Sequence, residues 1–282
     1  MPGTLFIVAT PIGNLEDITA RALRILREVS LIAAEDTRRT AHLLTRYGIT
    51  TPTTSLHEHN EGRKAPSLIA RLQAGENIAL VSDAGTPLIS DPGQQLIRIA
   101  IETGIRLEPV PGPSAITAAL AASGFQTHPF VFLGFPPTRS KDRKNWFQQL
   151  ASTNTTAVFF ESPHRIRRTL QEIVETVGDL PVMVARELTK AHESLVRGHI
   201  SDALRDTHLE TGELTIVLDV GHKPNDASAA EVSGERLVEE LGLLTDNGKL
   251  NKRQAIQELA RRHGWRPNDV YAAVERTRKL GK

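Results

Sequence analysis

The chain has 282 residues but no cysteine, few aromatic residues and no long hydrophobic run at its start. Without cysteine it can form no disulfide, no thiolate nucleophile and no zinc–thiolate site, which fits a reducing compartment. Residues 1–4 show neither the basic segment nor the apolar run of an export signal or membrane anchor. We therefore expect a cytoplasmic protein that makes no contact with a membrane.

The common nucleotide-binding fingerprints are also missing. The sequence contains no Gly-x-Gly-x-x-Gly after an apolar run and no Gly-x-x-x-x-Gly-Lys-Ser/Thr. This argues against a dehydrogenase and against a P-loop enzyme. Present instead are three loops rich in proline and glycine, each after an apolar run, at 10–14, 83–93 and 111–114. Together they could form a pocket for a small polar ligand, whereas any one alone is typical of an ordinary turn.

The order of the apolar runs predicts an α/β architecture. Short runs at 5–9, 31–34 and 78–81 alternate with amphipathic helical stretches, which is typical of a largely parallel sheet. The chain length allows about two domains of roughly 150 residues, and Gly124 with Pro129 marks a break between them. We predict an N-terminal α/β domain over 1–124, a second α/β domain over 125–222, and a linker with a small helical domain over 223–282.

The segment 82–93 predicts a ligand site. A buried-looking strand at 78–81 breaks there into two Asp, two Gly and two Pro within twelve residues. Open α/β folds bind ligands at the carboxyl ends of their strands, where such a loop offers bare backbone and carboxylates. We therefore expect a cofactor at this edge of the sheet.

The C-terminal segment differs from the rest in charge. Residues 249–282 carry a net charge of +7, which leaves −6 for the other 248 residues. Asn251 begins a predicted helix that stops at Gly264, and Pro267 with Asn268 begins another, a pattern that resembles a helix-turn-helix. A basic appendage on an acidic body predicts a nucleic-acid partner. The alternative is a solvated helical tail.

Seven segments together resemble the motifs of the small-subunit ribosomal RNA methyltransferase I family. They are Ala9–Asp17, Ala34–Arg38, Val81–Gly93, Pro111–Ala115, Gly134–Pro137, Phe160–Arg165 and Arg186–Glu193. The resemblance extends over nearly the whole chain, and the motif at 83–93 is highly specific.

The resemblance implies a fold similar to that of the tetrapyrrole methylases, with S-adenosylmethionine in the cleft between two α/β domains. It implies methyl transfer to the ribose 2′-oxygen of a cytidine in the decoding region of 16S rRNA, within the 30S subunit, by a homodimer. No metal is expected, because the methyl donor carries its own leaving group. The cofactor-binding residues that the resemblance implies are Pro11, Asp83, Ala84, Gly85, Thr86, Ser114, Phe160, Glu161 and Leu188.

The acceptor hydroxyl needs a group that takes its proton, because a ribose 2′-OH is only weakly acidic. The candidate catalytic residues are Asp36, Glu35, Glu187 and Lys190, with His57, His59 and His192 as further candidates. The choice stays open, since Glu35 could pair with a neighbouring arginine at a helix end and the histidines could lie in a solvated loop. Our first hypothesis is Asp36, which lies among acids beside the predicted cofactor loops.

Several basic residues are candidates for contact with RNA phosphates. They are Arg38, Arg139, Lys141, Arg143, Lys144, Arg165, Arg186, Arg253, Arg261 and Arg262. The four at 139–144 lie directly before Trp146. Trp146 either stacks on a base or belongs to the hydrophobic core, with the charges on the outer face of the same helix.

Two other functions remain open at this point. The shared fold permits a methyltransferase that acts on a corrin or tetrapyrrole precursor, although the basic tail and the sequence 83–87 argue against it. The other alternative is a non-catalytic RNA-binding factor of ribosome assembly, which binding of the cofactor without methyl transfer would favour.

Overall fold

A computed structural model describes residues 1–221, 234–246, 250–263 and 267–280. The chain forms two compact units, Met1–His222 and Lys223–Lys282. Within the described ranges, no helix is both long and apolar enough to cross a membrane.

The first sheet is entirely parallel, as the sequence predicts. Its strands are β1 (Thr4–Val8), β2 (Leu31–Ala34), β3 (Thr53–Ser55), β4 (Ile78–Val81) and β5 (Arg106–Val110), in the order β3-β2-β4-β1-β5. Its helices are α1 (Ala20–Glu28), α2 (Thr37–Arg46), α3 (Glu61–Gln73), α4 (Gln94–Glu102) and α5 (Ala115–Ser123), with a 3₁₀ turn at Leu15–Asp17. All residues of β2 and β4 are buried because helices cover both faces of the sheet.

The second sheet is mixed, whereas the first is entirely parallel. Its strands are β6 (Phe130–Phe132), β7 (Thr156–Glu161), β8 (Pro181–Arg186), β9 (Ser194–His199) and β10 (Leu214–Asp219), in the order β6-β7-β10-β8-β9. Only β6 and β7 pair in parallel; the other three pairs are antiparallel. The β8–β9 connection is too short for a parallel crossover, so the strand must return antiparallel. The helices are α6 (Ser140–Ser152), α7 (Ile166–Thr176) and α8 (Ile200–Ala203), with a 3₁₀ turn at Thr207–Glu210.

Helix α5 joins the two sheets. Ala119 and Leu120 are buried against Val158, Met183 and Val217 of the second sheet. The small residues of this helix therefore permit close packing against the second sheet.

The C-terminal unit consists of α9 (Gly234–Asp246), α10 (Lys252–His263) and α11 (Pro267–Leu280). Leu237, Leu259 and Val274 belong to its own buried cluster. Asn251 and Gln254 cap α10 reciprocally, each side chain accepting the other's backbone N–H at 2.9 and 3.1 Å, as the sequence predicts. The predicted linker after Gly221 and the predicted stop at Gly264 lie outside the described residues.

Candidate active site

A cavity of about 420 Å³ lies between the two sheets of the first unit, and we call it the main cavity. One wall comes from the loops after β2, β4 and β5, and the opposite wall comes from β7, β10 and the turn after β8. The volume is in the range of small-molecule sites. Two neighbours adjoin it: a side cavity of about 480 Å³, which shares Glu35, Ser90 and Asp91, and a rear cavity of about 190 Å³.

The loops of the first wall are held together by backbone hydrogen bonds. The N–H of Thr10 donates to the carbonyl oxygen of Gly85 at 2.9 Å, and the N–H of Gly85 donates back at 3.0 Å. The Thr10 hydroxyl also donates to the Ser82 carbonyl oxygen at 3.2 Å. Gly85 has φ +77°, which favours glycine at this crossing. The loop after β4 is therefore fixed to the loop after β1.

Each wall carries one apolar side chain on a strained turn. Leu88 and Ser90 have φ values of +75° and +70° on either side of Ile89, and Glu187 and Thr189 have +52° and +65° on either side of Leu188. Both central residues line the main cavity. Left-handed backbone costs a non-glycine residue about 1–3 kcal/mol and occurs mainly at functional sites. The fold bears this cost at four residues, two in each turn, around the same cavity.

Four carboxylates cluster at the carboxyl ends of β2 and β4. Asp36 caps α2, with its Oδ1 accepting the Arg38 N–H at 2.8 Å. Its own N–H donates to Asp83 Oδ1 at 3.0 Å, and the Asp83 N–H donates to Glu35 Oε2 at 3.3 Å. The fourth carboxylate, Asp91, borders both the main and the side cavity.

Burial raises the pKa of three of these acids, Glu35, Asp83 and Asp91. It raises the pKa of Asp91 to about 6, against the opposing hydrogen bond from Ser82 and with further repulsion from Glu35 and Asp83. Burial likewise raises the pKa of Glu35 and of Asp83, although each accepts a backbone N–H. Among the described residues that line the main cavity, Arg39 is the one basic side chain. Its Nη1 lies 3.4 Å from Asp83 Oδ2, and its side chain is 65% exposed. The first wall is therefore negatively charged.

The second wall is apolar at its surface and ionic behind it. Phe160 and Phe135 line the cavity with ring centroids 5.4 Å apart. The Glu161 carboxylate is fully buried and accepts the Arg165 guanidinium at 2.6 Å, the Thr169 hydroxyl at 2.6 Å and the Ser162 N–H at 2.7 Å. These donors satisfy the buried charge.

The turn after β8 contacts the first domain closely. The Asn14 N–H donates to Thr189 Oγ1 at 2.9 Å, and a Cβ built on Gly13 would lie 2.5 Å from Lys190 Cγ and 2.6 Å from the Leu188 carbonyl oxygen. Glycine is required here because the segments around Gly13 and Leu188 approach each other closely. The contact fixes the distance between the walls.

The structure brings most of the predicted cofactor residues together. Asp83, Ala84, Gly85, Thr86, Ser114, Phe160, Glu161 and Leu188 all line the main cavity, and Pro11 lines the rear cavity beside it. These residues are distant in sequence and come from both domains.

The predicted catalytic residues are spread more widely. Glu35 lines the main cavity, whereas Asp36 is occupied as a helix cap. Lys190 lines the rear cavity and donates to Glu187 and Glu213 at 2.9 and 3.1 Å. His57 and His59 border the side cavity, and His192 is exposed.

Among the residues predicted to bind RNA, Arg143 is contradicted by the structure. It is 6% exposed, and its guanidinium donates to Glu172 Oε2 at 2.6 Å, Thr169 Oγ1 at 2.8 Å and the Pro137 carbonyl oxygen at 3.2 Å. Trp146 is also buried, with its Nε1 donating to the Leu133 carbonyl oxygen, so its core alternative is correct. Both side chains turn inward because they sit on the packed face of α6.

The other predicted RNA contacts fall into three groups. Arg38, Arg139, Lys141 and Lys144 are exposed. Arg165 and Arg186 donate within the second domain, to Pro136 and Glu161 and to Ser194 and His192 respectively. Arg253, Arg261 and Arg262 belong to α10, and their side chains lie outside the described residues.

Sequence reasoning missed Asp91, Arg39 and Phe135 as residues of the site. Asp91 was visible in the segment 83–93, but its burial comes from folding of that loop. Phe135 is 49% exposed at the cavity wall, and its Gly-Phe-Pro-Pro context signalled a loop without showing where it points. Glu213 also lines the cavity, from the turn before β10.

Comparison with known proteins identifies the family. Residues 4–204 match the family model for Tetrapyrrole (Corrin/Porphyrin) Methylases. The Ribosomal RNA small subunit methyltransferase I of Thermotoga maritima is 49% identical over 77% of this chain and 98% of its own length. The protein of the same name from Haemophilus influenzae is 43% identical over 96% of both chains.

Among solved structures, diphthine synthase is similar in fold, with a TM-score of 0.63 and 16% identity over 77% of this chain and 90% of its own. That likeness concerns the fold alone, whereas the identities to the two methyltransferases extend over 77% and 96% of this chain. The chain therefore belongs to the ribosomal RNA small subunit methyltransferase I family within the tetrapyrrole methylases, and it is an S-adenosylmethionine-dependent methyltransferase.

Proposed function

We propose that this protein transfers a methyl group from S-adenosylmethionine to the ribose 2′-oxygen of a cytidine in the decoding region of 16S rRNA, within the 30S subunit. We further propose that it acts in the cytoplasm as a homodimer. The observation that carries the proposal is the convergence of eight predicted cofactor residues from both domains on one cavity. Relatives 49% and 43% identical to this chain are named Ribosomal RNA small subunit methyltransferase I.

The donor set of the cavity fits the cofactor. S-adenosylmethionine combines two cationic groups and a carboxylate with an apolar adenosine, so its site needs carboxylates, free backbone groups and apolar surface. The acids at the ends of β2 and β4 offer the first, and Phe160 with Leu188 offers the third. The loop 83–86 offers the second through the backbone N–H groups of Ala84 and Thr86, since those of Asp83 and Gly85 already donate to Glu35 and Thr10. We assign the methionine end to Asp83–Thr86 and the adenosine end to Phe160, Glu161 and Leu188.

The cofactor, when bound, supplies an activated methyl group with a good leaving group. The protein's contribution is then alignment of the acceptor oxygen, exclusion of water and acceptance of one proton. The two strained turns present Ile89 and Leu188 to the cavity, where they keep it apolar on both sides. The negative first wall favours a cationic ligand over a neutral one.

Exposed cations provide the surface for RNA. Phosphate contacts remain available to Arg38, Arg139, Lys141 and Lys144, which are exposed. Helix α10 adds the basic residues Arg253, Arg261 and Arg262. Arg165, Arg186, Glu187 and Lys190 are better explained as the frame of the second wall, because each has a partner inside the domain.

The test is incubation with tritiated S-adenosylmethionine and 30S subunits from a strain that lacks this gene, followed by nuclease mapping of the label. Label on a ribose 2′-oxygen of 16S rRNA is the expected result. Labelling of a corrin precursor in place of RNA would support the first alternative of the sequence analysis, and cofactor binding without transfer to either would support the non-catalytic one.

A further inference from the structure

Asp91 lies where two cavities meet. The main cavity takes eight of the predicted cofactor residues, and the side cavity opens on the other side of the loop 90–94. Glu35, Ser90 and Asp91 are the residues that both cavities share. A group at this junction can reach a cofactor on one side and an acceptor on the other. The acceptor needs a space of its own, and the side cavity, at about 480 Å³, provides it.

The hydrogen bonds of the cluster distinguish Asp91 from the other acids. Asp36, Asp83 and Glu35 each accept a backbone N–H, which makes these carboxylates part of the loop structure. Asp91 is bonded by the Ser82 hydroxyl, a neutral group that can also donate to the Ala84 carbonyl oxygen at 3.3 Å. A carboxylate with a rotatable hydroxyl as its partner can gain and lose a proton without breaking the backbone of the loop.

Backbone geometry orients this residue. Ser90 has φ +70° and Gly93 has φ +121°, so Asp91 sits between two left-handed positions. A Cβ on Gly93 would lie 3.0 Å from the side chains of Leu80 and Leu88, which shows how tightly the loop is packed there. Such over-determined backbone is typical of residues whose direction matters for function.

We propose that the carboxylate of Asp91 accepts the proton of the acceptor hydroxyl, and that the acceptor ribose enters through the side cavity. This inference rests on the proposed function. As the O–CH₃ bond forms and the S–CH₃ bond breaks, the bonding electron pair of S–CH₃ stays on sulfur and the hydroxyl proton moves to Asp91. Burial raises the pKa of this carboxylate to about 6. A general base works best when its pKa lies near the operating pH.

The groups around Asp91 define the expected pH dependence. The charged and titratable residues that face it are Glu35 after β2, Asp83 after β4, and His57, Glu58, His59 and Glu61 around the side cavity. A base must be ionised to act, so turnover should rise with pH through the pKa of Asp91 and fall as pH drops below it. The hydrogen bond from Ser82 lowers that pKa, so its removal should move the midpoint of the profile to higher pH.

The first experiment compares Asp91→Asn with wild type on 30S subunits. We expect kcat to fall by roughly 100-fold or more, with the cofactor Kd changed by less than about threefold, and Asp91→Glu to recover part of the loss. Asp17→Asn is the matched control, since Asp17 is exposed at the end of the 3₁₀ turn Leu15–Asp17 and lines neither cavity, and it should keep full turnover. Turnover by Asp91→Asn close to wild type would overturn the proposal.

The second experiment reads the proton itself. In Ser82→Ala the midpoint of the pH–kcat profile should shift upward, and ¹³C titration of the Asp91 carboxyl in the cofactor-free protein should show the same shift. If the ¹³C midpoint of Asp91 moves in Ser82→Ala while the midpoint of the pH–kcat profile does not, the base is another group, and that result would remove Asp91 from this role. Failure of the wild type to label a ribose would remove the proposed function together with this role, whereas an active Asp91→Asn beside an active wild type would remove the role of Asp91 alone.

Discussion

The acid cluster of the first wall and the acids of the second domain differ in the direction of their pKa shifts. In the first domain, burial raises the pKa of Glu35, Asp83 and Asp91. In the second, burial acts in the same direction on Glu172 and Glu187, but hydrogen bonds outweigh it and lower both pKa values. Those bonds come from Arg168 and Arg143 to Glu172, and from the Glu213 N–H and Lys190 to Glu187.

The difference follows from where each domain places its cations. Arg143 and Arg165 turn inward and bind acids of their own domain, so the second wall presents mainly apolar surface to the cavity. Among the described residues that line the main cavity, the one cationic partner of the first-wall acids is Arg39, whose side chain is exposed. We infer that the first domain supplies charge for ligand and proton, while the second supplies a rigid surface against which the ligand is held.

The largest expected effect comes from breaking the frame of the second wall. Glu161→Ala leaves Arg165 without its buried partner and Thr169 without its acceptor, so it should lower the free energy of unfolding by about 3 kcal/mol. Urea denaturation measures this value. Glu175→Ala, an exposed acid on the same α7, should change it by less than about 0.5 kcal/mol. Equal effects of the two substitutions would end the distinction between frame and surface acids.

The next effect concerns the charge of the first wall. Asp83→Asn removes a negative charge that we assign to the cofactor's cationic groups, so the cofactor Kd should rise roughly 10- to 100-fold, about 1.4–2.7 kcal/mol. Calorimetry with S-adenosylmethionine measures it. Asp142→Asn, an exposed acid of the second domain, is the control and should bind normally. An unchanged Kd for Asp83→Asn would assign the cation to another carboxylate of the cluster.

The contact between the walls gives the third prediction. Gly13→Ala places a methyl group against Lys190 and Leu188 and should lower the free energy of unfolding by about 1–3 kcal/mol, with weaker cofactor binding. Gly62→Ala is a matched control within α3, where the nearest atom is 3.5 Å away. That substitution should stabilise the protein by about 0.5–1 kcal/mol. Unchanged cofactor binding in Gly13→Ala would show that the cavity tolerates movement of its walls.

Local sequence signals were sufficient for the parallel sheet, the ligand edge and the cap at Asn251. Each of these depends on residues that are close in sequence, such as apolar runs followed by proline and glycine. The edge strands β3, β5 and β9 were missed because charged, polar and proline residues interrupt their apolar pattern. The antiparallel pairing of the second sheet depends on a loop length that apolar periodicity does not reveal.

The state of a charged side chain was the hardest property to predict. Arg143 and Lys144 are adjacent in a basic segment, yet one is buried in an ion pair and the other is exposed. Their difference depends on the Glu172 and Thr169 side chains of α7, which pack against α6. Asp91 gave no local signal either, because its raised pKa comes mainly from burial in the folded cluster, with added repulsion from Glu35 and Asp83.

The smallest expected effect is on the free energy of unfolding, which should rise when Asp91 of the first wall is replaced but fall when Glu161 of the second wall is replaced. Because the folded pKa of Asp91, about 6, exceeds the ordinary value of 3.8, the folded state holds this proton more tightly than the unfolded chain. Its contribution to stability is therefore greatest at low pH and declines as pH rises from about 4 to about 6. Asp91→Asn should raise the free energy of unfolding at pH 8 by about 1 kcal/mol, a value reduced for partial exposure, and leave it unchanged below pH 4.

Urea denaturation of the cofactor-free protein across pH measures this difference, and Glu58→Gln should show no such trend. An acid whose removal stabilises the fold but abolishes turnover is retained for function, since natural proteins keep unfavourable groups where activity requires them. Glu161→Ala should behave in the opposite way and lower the free energy of unfolding, because it removes the buried partner of Arg165. A loss of stability in Asp91→Asn at pH 8 would place Asp91 with the frame acids of the second wall and erase the contrast between the two domains.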